Sequence, residues 1–291
     1  PGLVFSIFII YTFISNQGLS DSNKDIIFFD GIRMVGMLVT FFVTFYLGYL
    51  HSNLNQKNIH NTFVLTTFMT LAILLMGRGT IVAILATYFF LIIILLINKK
   101  KFKNEFLIFI YSVVISIFLS QIIFHISLSD DFVFRTKDQL LFTLDRINLW
   151  KYGYIIFLEN PYFGKGPGGF TISAYNDFYS NKIYGDLVIN NSFTHNHPHN
   201  FIIQFLVEWG IIGTLLIFIL LLKLSISSLK YFFKFKEYNL LISGLSIIGL
   251  TSHALVDGTL YHATFTFYFV LFLSILCSEI SKKTNFKSQI K

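Results

Sequence analysis

The chain has 291 residues, of which 54% are hydrophobic and 13% charged, with a net charge of +7 and a mean hydropathy of +0.67. Soluble domains carry about a quarter charged residues, so this composition excludes an ordinary soluble globule and describes an integral membrane protein. The positive balance does not point to nucleic acid, because the lysines sit in short runs between apolar segments, where they set topology.

A spanning helix needs about 20 mostly apolar residues. Eight stretches qualify: 2–15, 33–51, 61–77, 80–97, 106–125, 200–222, 239–257 and 261–280. The first follows Pro1 rather than a methionine and has no charged region before it, so it reads as part of a longer membrane protein, not a signal peptide. The expected organisation is an all-α integral membrane protein in four parts. Residues 1–125 hold helices one to five, and 126–199 form one long external loop with amphipathic helices. Residues 200–280 hold helices six to eight, and 281–291 form a basic cytoplasmic tail. The only cysteine, Cys277, excludes an intramolecular disulfide and reads as a packing residue.

Lysines orient the spans. Lys99, Lys100, Lys101 and Lys103, then Lys223, Lys230, Lys234 and Lys236, then Lys282, Lys283, Lys287 and Lys291 mark three cytoplasmic segments. The 126–199 segment mixes both signs and can lie outside. The outer face then collects Arg78, the long loop, the cluster His195–Asn200 and the turn Asp257–His262. Polar groups gathered at the mouth of a membrane bundle mark a functional site.

Within His195-Asn196-His197-Pro198-His199-Asn200, Pro198 suits the first turn of a helix. Asn196 or His197 is then the expected cap, with His199 in the first turn. A neutral imidazole there can act as a general base, and the helix end can attract a diphosphate. The bland alternative is a set of interfacial polar residues. Zinc is a further option for the three histidines with Asp257, but Pro198 breaks their spacing and no HExxH pattern occurs, so no metal is expected.

Arg78, between Gly77 and Gly79, is either an interface arginine snorkelling to headgroups or a fork for phosphate oxygens. Arg146 and Trp150 lie four apart on an amphipathic helix and can share a face. That pair suits a sugar beside a phosphate, and equally an interface anchor. The Gly- and Pro-rich stretch 159–170 is a tight turn and not a Walker A loop. His253 and Asp257, four apart, can pair on one helix face, either to orient a catalytic group or to satisfy two buried polar residues.

His197-Pro198-His199-Asn200 with Gly210 and Gly213 resembles the HxHN-x9-GxxG signature of the O-antigen ligase family. Arg78 resembles that family's arginine after an apolar helix, although Gly77 stands where serine is usual. Arg146–Trp150 with the Asn160–Gly168 stretch, and Asp257–Tyr261 later, resemble further family motifs in the expected order. The resemblance implies a GT-C-like membrane glycosyltransferase with more helices than the eight here. Such an enzyme sits in the bacterial cytoplasmic (inner) membrane with its active site facing the periplasm. It implies an undecaprenyl-diphosphate-linked glycan donor and, in ligases, a lipid A–core acceptor. In polymerases the acceptor is another lipid-linked glycan, and in some relatives a protein hydroxyl. Membrane lipids are the surroundings, nucleic acid is not a partner, and neither cofactor nor metal is implied. On this resemblance His199 is the base, and Arg146 and Arg78 stabilise the leaving diphosphate. His197, Asn200, Trp150, Asp257 and His253 bind substrate. The expected outcome is inversion at the anomeric centre. The competing class is a transporter of polysaccharide or lipid-linked oligosaccharide. Against it, the polar residues gather on the outer face rather than at the midplane, and no repeated second half is visible.

Overall fold

The structure, a computed structural model, describes residues 32–52, 58–74, 78–97, 103–126, 146–180, 183–184, 187–188, 197–258 and 263–289. The apolar stretch 2–15 lies outside them. The fold is all-helical: α1 Ile32–Ser52, α2 Asn58–Leu74, α3 Arg78–Ile97, α4 Lys103–Ile126, α5 146–159, α6 Gly169–Tyr179, α7 Phe201–Phe235, α8 Tyr238–Ala254 and α9 Ala263–Gln289. One two-residue pair, β1 Ile183–Tyr184 with β2 Leu187–Val188, is antiparallel, matching Ile183 to Val188. Among the described residues, three helices are long and apolar enough to cross a membrane: Gly79–Ile97, Phe106–Ile123 and Phe201–Phe235. Two more apolar helices, Gly36–Tyr49 and His60–Leu74, are shorter.

The chain divides into two compact units. The first comprises Pro1–Phe132, Ser225–His253 and Thr264–Lys291. In it α2 packs along α4 and α1 along α2 and α3. Hydroxyl side chains join these helices through hydrogen bonds to neighbouring backbone. Ser116 Oγ donates to Thr66 O at 2.9 Å, and Thr80 Oγ1 to Gly36 O at 3.0 Å. Small residues permit the close approach. The Cα of Gly249 abuts Thr44 and Thr87, and Gly48 lies against the backbone of Ile242.

The second unit is Val133–Leu224 with Ala254–Ala263. Its core comes from an amphipathic pattern in α5, where Leu149, Tyr152 and Ile156 recur at i, i+3 and i+7. They pack on Phe170 and Ala174 of α6 and Val207 of α7. Burial of each of Leu149, Ile156, Phe170 and Val207 contributes roughly 1.5–3 kcal/mol. The Tyr152 hydroxyl, inside this core, donates to Asp177 Oδ2 at 2.8 Å.

Helix α7 breaks at Gly210, whose φ of 62° and ψ of −171° are not helical. An unbroken helix would bond the Ile211 N–H to Val207 O and the Ile212 N–H to Glu208 O. Both are replaced. Val207 O accepts from Lys165 N at 2.8 Å and Glu208 O from Gly166 N at 2.9 Å. Ile211 N donates to Pro161 O at 2.8 Å and Ile212 N to Tyr162 O at 3.2 Å. The 160–168 turn is thus inserted into the helix and pairs these four backbone groups that the break exposes. Glycines make the insertion possible, since Gly164, Gly166, Gly168 and Gly210 all have positive φ.

Several boundaries differ from the hydropathy reading. Helix α7 continues past residue 222 to Phe235, because lysines and serines follow rather than a breaker. It ends at Lys236, with φ 55° and its N–H on Phe232 O. Helix α8 stops at Ala254 rather than 257, and α9 runs on to Gln289, so much of the basic tail is helical.

Candidate active site

In the second unit, four consecutive residues after α8, Leu255 to Gly258, are each engaged by a different candidate residue. Asn200 Nδ2 donates to Leu255 O at 3.0 Å. Arg146 Nη1 donates to Val256 O at 2.9 Å. His199 Nδ1 meets Asp257 Oδ1 at 3.0 Å. The Cα of Gly258 lies so close to the His197 ring that a Cβ would overlap it. The segment is therefore held by side chains from α5 and from the approach to α7, and α8 need only deliver it.

Asp257 is the centre of charge. Besides His199, its Oδ1 accepts from Gly258 N at 3.2 Å and lies 3.9 Å from Arg146 Nη2. His199 is buried, at 5% exposure. With Nδ1–H donating to the carboxylate, a neutral ring carries its lone pair on Nε2. That is the arrangement in which a carboxylate orients a histidine base. The His197 ring packs edge-on against His199, with centroids 4.4 Å apart. Trp150 Nε1 donates to Pro198 O at 2.9 Å and so fixes the backbone just before His199. Arg146 and Trp150 share one face of α5, and both are turned to this site.

The cap is not the expected one. Asn200 caps α7, its Oδ1 accepting from Ile202 N at 2.9 Å and Ile203 N at 3.2 Å. His199 stands outside the helix with φ 54°, a left-handed conformation that histidine adopts more readily than most residues. Such backbone strain concentrates at functional sites. The spacing pattern could not reveal this, because Pro198 and Asn200 are both good helix starters.

Arg78 and His253 belong to the other unit. Arg78 is the first residue of α3. His253 is 3% exposed, with Nδ1 2.7 Å from Thr40 Oγ1 and its ring against Gly79. Because α8 ends at Ala254, Asp257 lies beyond the helix and the i, i+4 relation with His253 does not apply. Among the described residues, no group of three or more His, Cys, Asp or Glu is placed to hold a metal ion.

Two residues were missed. Gln204 and Glu208 are buried, at 1% and 3% exposure, in the first turns of α7. Gln204 Nε2 and the Gly168 N–H, at 2.5 and 3.0 Å, both donate to Glu208 Oε1. Their signal was present, since a carboxylate four residues after an amide in an apolar helix calls for a partner.

The apolar helices define a multi-pass membrane protein, and its second unit brings His199, Asp257 and Arg146 together. The O-antigen ligase family model matches residues 61–218, more than half of the chain, and the chain belongs to that family. The matched span includes Arg78, Arg146, Trp150, His197, His199, Asn200 and both glycines of the signature, while Asp257 lies after it. Membership marks the chain as a membrane glycosyltransferase-like enzyme of O-antigen ligase or polymerase type. No curated protein and no solved structure gives a match.

Proposed function

We propose that this protein transfers a glycan from an undecaprenyl-diphosphate donor to an acceptor hydroxyl on the outer face of the bacterial cytoplasmic membrane, as an O-antigen ligase does. The observation that carries this reading is the buried His199 held by Asp257, with Arg146 on the same carboxylate. His199 Nε2 takes the proton of the acceptor hydroxyl as that oxygen attacks the anomeric carbon. The bond from that carbon to the diphosphate oxygen breaks, and undecaprenyl diphosphate leaves with the electron pair. Attack opposite the leaving group inverts the anomeric centre. Arg146 balances the negative charge that grows on the diphosphate. His197, Asn200 and Trp150 line the acceptor side.

Arg78 is proposed to bind diphosphate oxygens and His253 to position the start of α3, which Gly79 and Thr40 support. The 126–199 segment is proposed to lie outside, which the lysine runs support. Neither metal nor cofactor enters this chemistry, since the lipid diphosphate is itself the leaving group.

The test is a gel of surface glycans from cells carrying the full-length gene, its deletion, or His199→Ala. Loss of long glycan from lipid A–core in both altered strains, with polymer left on the carrier lipid, supports a ligase. Retention of single-unit glycans on lipid A–core makes it a polymerase. A deletion phenotype that His199→Ala does not share overturns the mechanism, and no phenotype in either strain overturns the function.

A further inference from the structure

Burial changes abruptly along α7 at the point where the 160–168 turn is inserted. Before Gly210 one face of the helix is fully covered, with Phe201, Gln204, Val207 and Glu208 at 3% exposure or less. After Gly210 the helix presents an open apolar stripe, with Leu215, Leu216, Ile219 and Leu222 between 53% and 63% exposed. At ~1.5 Å per residue, Ile211 to Leu224 extends about 20 Å, which is about two thirds of the ~30 Å hydrocarbon thickness. The whole 35-residue helix is far longer than the ~20 residues that a span requires. The lipid-crossing part therefore begins near Gly210, and the preceding turns stay with the polar site.

Three exposed aromatic side chains mark that junction. Trp209 is 44% exposed, Tyr162 66% and Phe163 77%. Their common level is set by the backbone, because Pro161 O and Tyr162 O accept from Ile211 N and Ile212 N. The tip of the turn is thereby tied to the first turn of the lipid-facing segment. Water would leave the apolar rings of Phe163 and Trp209 unburied, whereas the headgroup zone favours Trp209 and Tyr162, each an aromatic ring with one polar edge, and lets Phe163 dip beneath them. The polar pair Gln204–Glu208 reaches to within two residues of Gly210, where its buried side chains face the 160–168 turn rather than the open stripe.

We propose that Tyr162, Phe163 and Trp209 form a membrane-interface anchor that seats the second unit on the headgroup layer of the bilayer. The open stripe of α7 runs on from it into the lipid chains. Nine helical residues separate Asn200 from Gly210, so Asn200 lies about 15 Å from this level along the helix and His199 one residue beyond it. The site is thus within reach of a diphosphate that a membrane-embedded lipid carries. Loop and helix share backbone hydrogen bonds, so the anchor fixes the height of the site as well as the position of the turn.

The test uses the full-length protein reconstituted in phosphatidylethanolamine–phosphatidylglycerol vesicles that contain brominated lipids. Trp150→Phe leaves Trp209 as the only tryptophan of this chain. Any others outside it are replaced by phenylalanine. Lipids brominated close to the glycerol end should quench Trp209 more strongly than lipids brominated near the terminal methyl. The double replacement Trp150→Phe and Trp209→Phe with Phe163→Trp should show the same order of quenching. Trp150 alone, in a Trp209→Phe protein, should be little affected by either lipid. Emission from positions 209 and 163 that is insensitive to both lipids overturns the anchor, and means that protein or glycan covers this face. Stronger quenching by the deeper bromines overturns its placement at the interface. The readout is optical and independent of transfer, so its failure leaves the proposed function standing.

Discussion

Replacing Gly210 by alanine perturbs the joint between α7 and the 160–168 turn at its tightest point. Gly210 has φ 62°, and a Cβ there would overlap the Tyr162 carbonyl and the Phe163 nitrogen, which are backbone atoms with no rotamer to give way. With ψ at −171° this backbone lies in a region essentially reserved for glycine, which costs another residue roughly 1–3 kcal/mol. Forcing an extra carbon into closed packing adds about 1–3 kcal/mol. The expected destabilisation is therefore about 2–6 kcal/mol, with the turn partly displaced from the helix. Gly166→Ala provides the control. Its φ is 84°, but nothing lies within 4 Å of the added Cβ, so only the conformational part applies. Thermal unfolding of the purified full-length protein in detergent, followed by tryptophan emission, reads the difference. At roughly 2–4 °C per kcal/mol for a protein of this size, Gly210→Ala should unfold well below Gly166→Ala, and Gly166→Ala slightly below the parent. Equal midpoints for the two variants, or an unchanged Gly210→Ala, would refute the inserted-turn account.

Asp257→Asn preserves shape but lets an amide N–H face His199 Nδ1, which favours the tautomer with its proton on Nε2. Glycan transfer should fall about a hundredfold or more with folding intact. Activity near the parental level would remove Asp257 from the role of orienting the base. Arg146→Lys keeps the charge but loses the fork that spans Val256 O and Asp257. A bond to a charged group is worth about 1.5–3 kcal/mol, so transfer by purified enzyme should drop roughly tenfold or more, and an unchanged rate would contradict the geometry. Glu208→Ala strips the acceptor from the Gly168 N–H and Gln204. It should destabilise by about 1–3 kcal/mol, with Glu208→Gln much milder, and equal unfolding curves for the two would argue against this contact.

Hydropathy is a local property that adds along the chain, and it was enough to define this protein as an all-helical membrane protein and to place most helices within a few residues. The spacing of His199-Asn200 and the two glycines was likewise local, and it led to the family. Tertiary structure alone decided what those residues do to one another. Asp257 meets His199 across 58 positions because α8 ends at Ala254 and releases the carboxylate, where hydropathy continued the helix and paired it with His253. Asn200 became the cap, and His199 was left outside the helix in a left-handed conformation. The glycine of the signature and the Gly- and Pro-rich stretch looked like separate motifs, yet they are two halves of one joint. Such pairings leave no periodic trace, because a backbone hydrogen bond exchanged between distant segments depends on where the chain returns in space and not on the side chains that flank it.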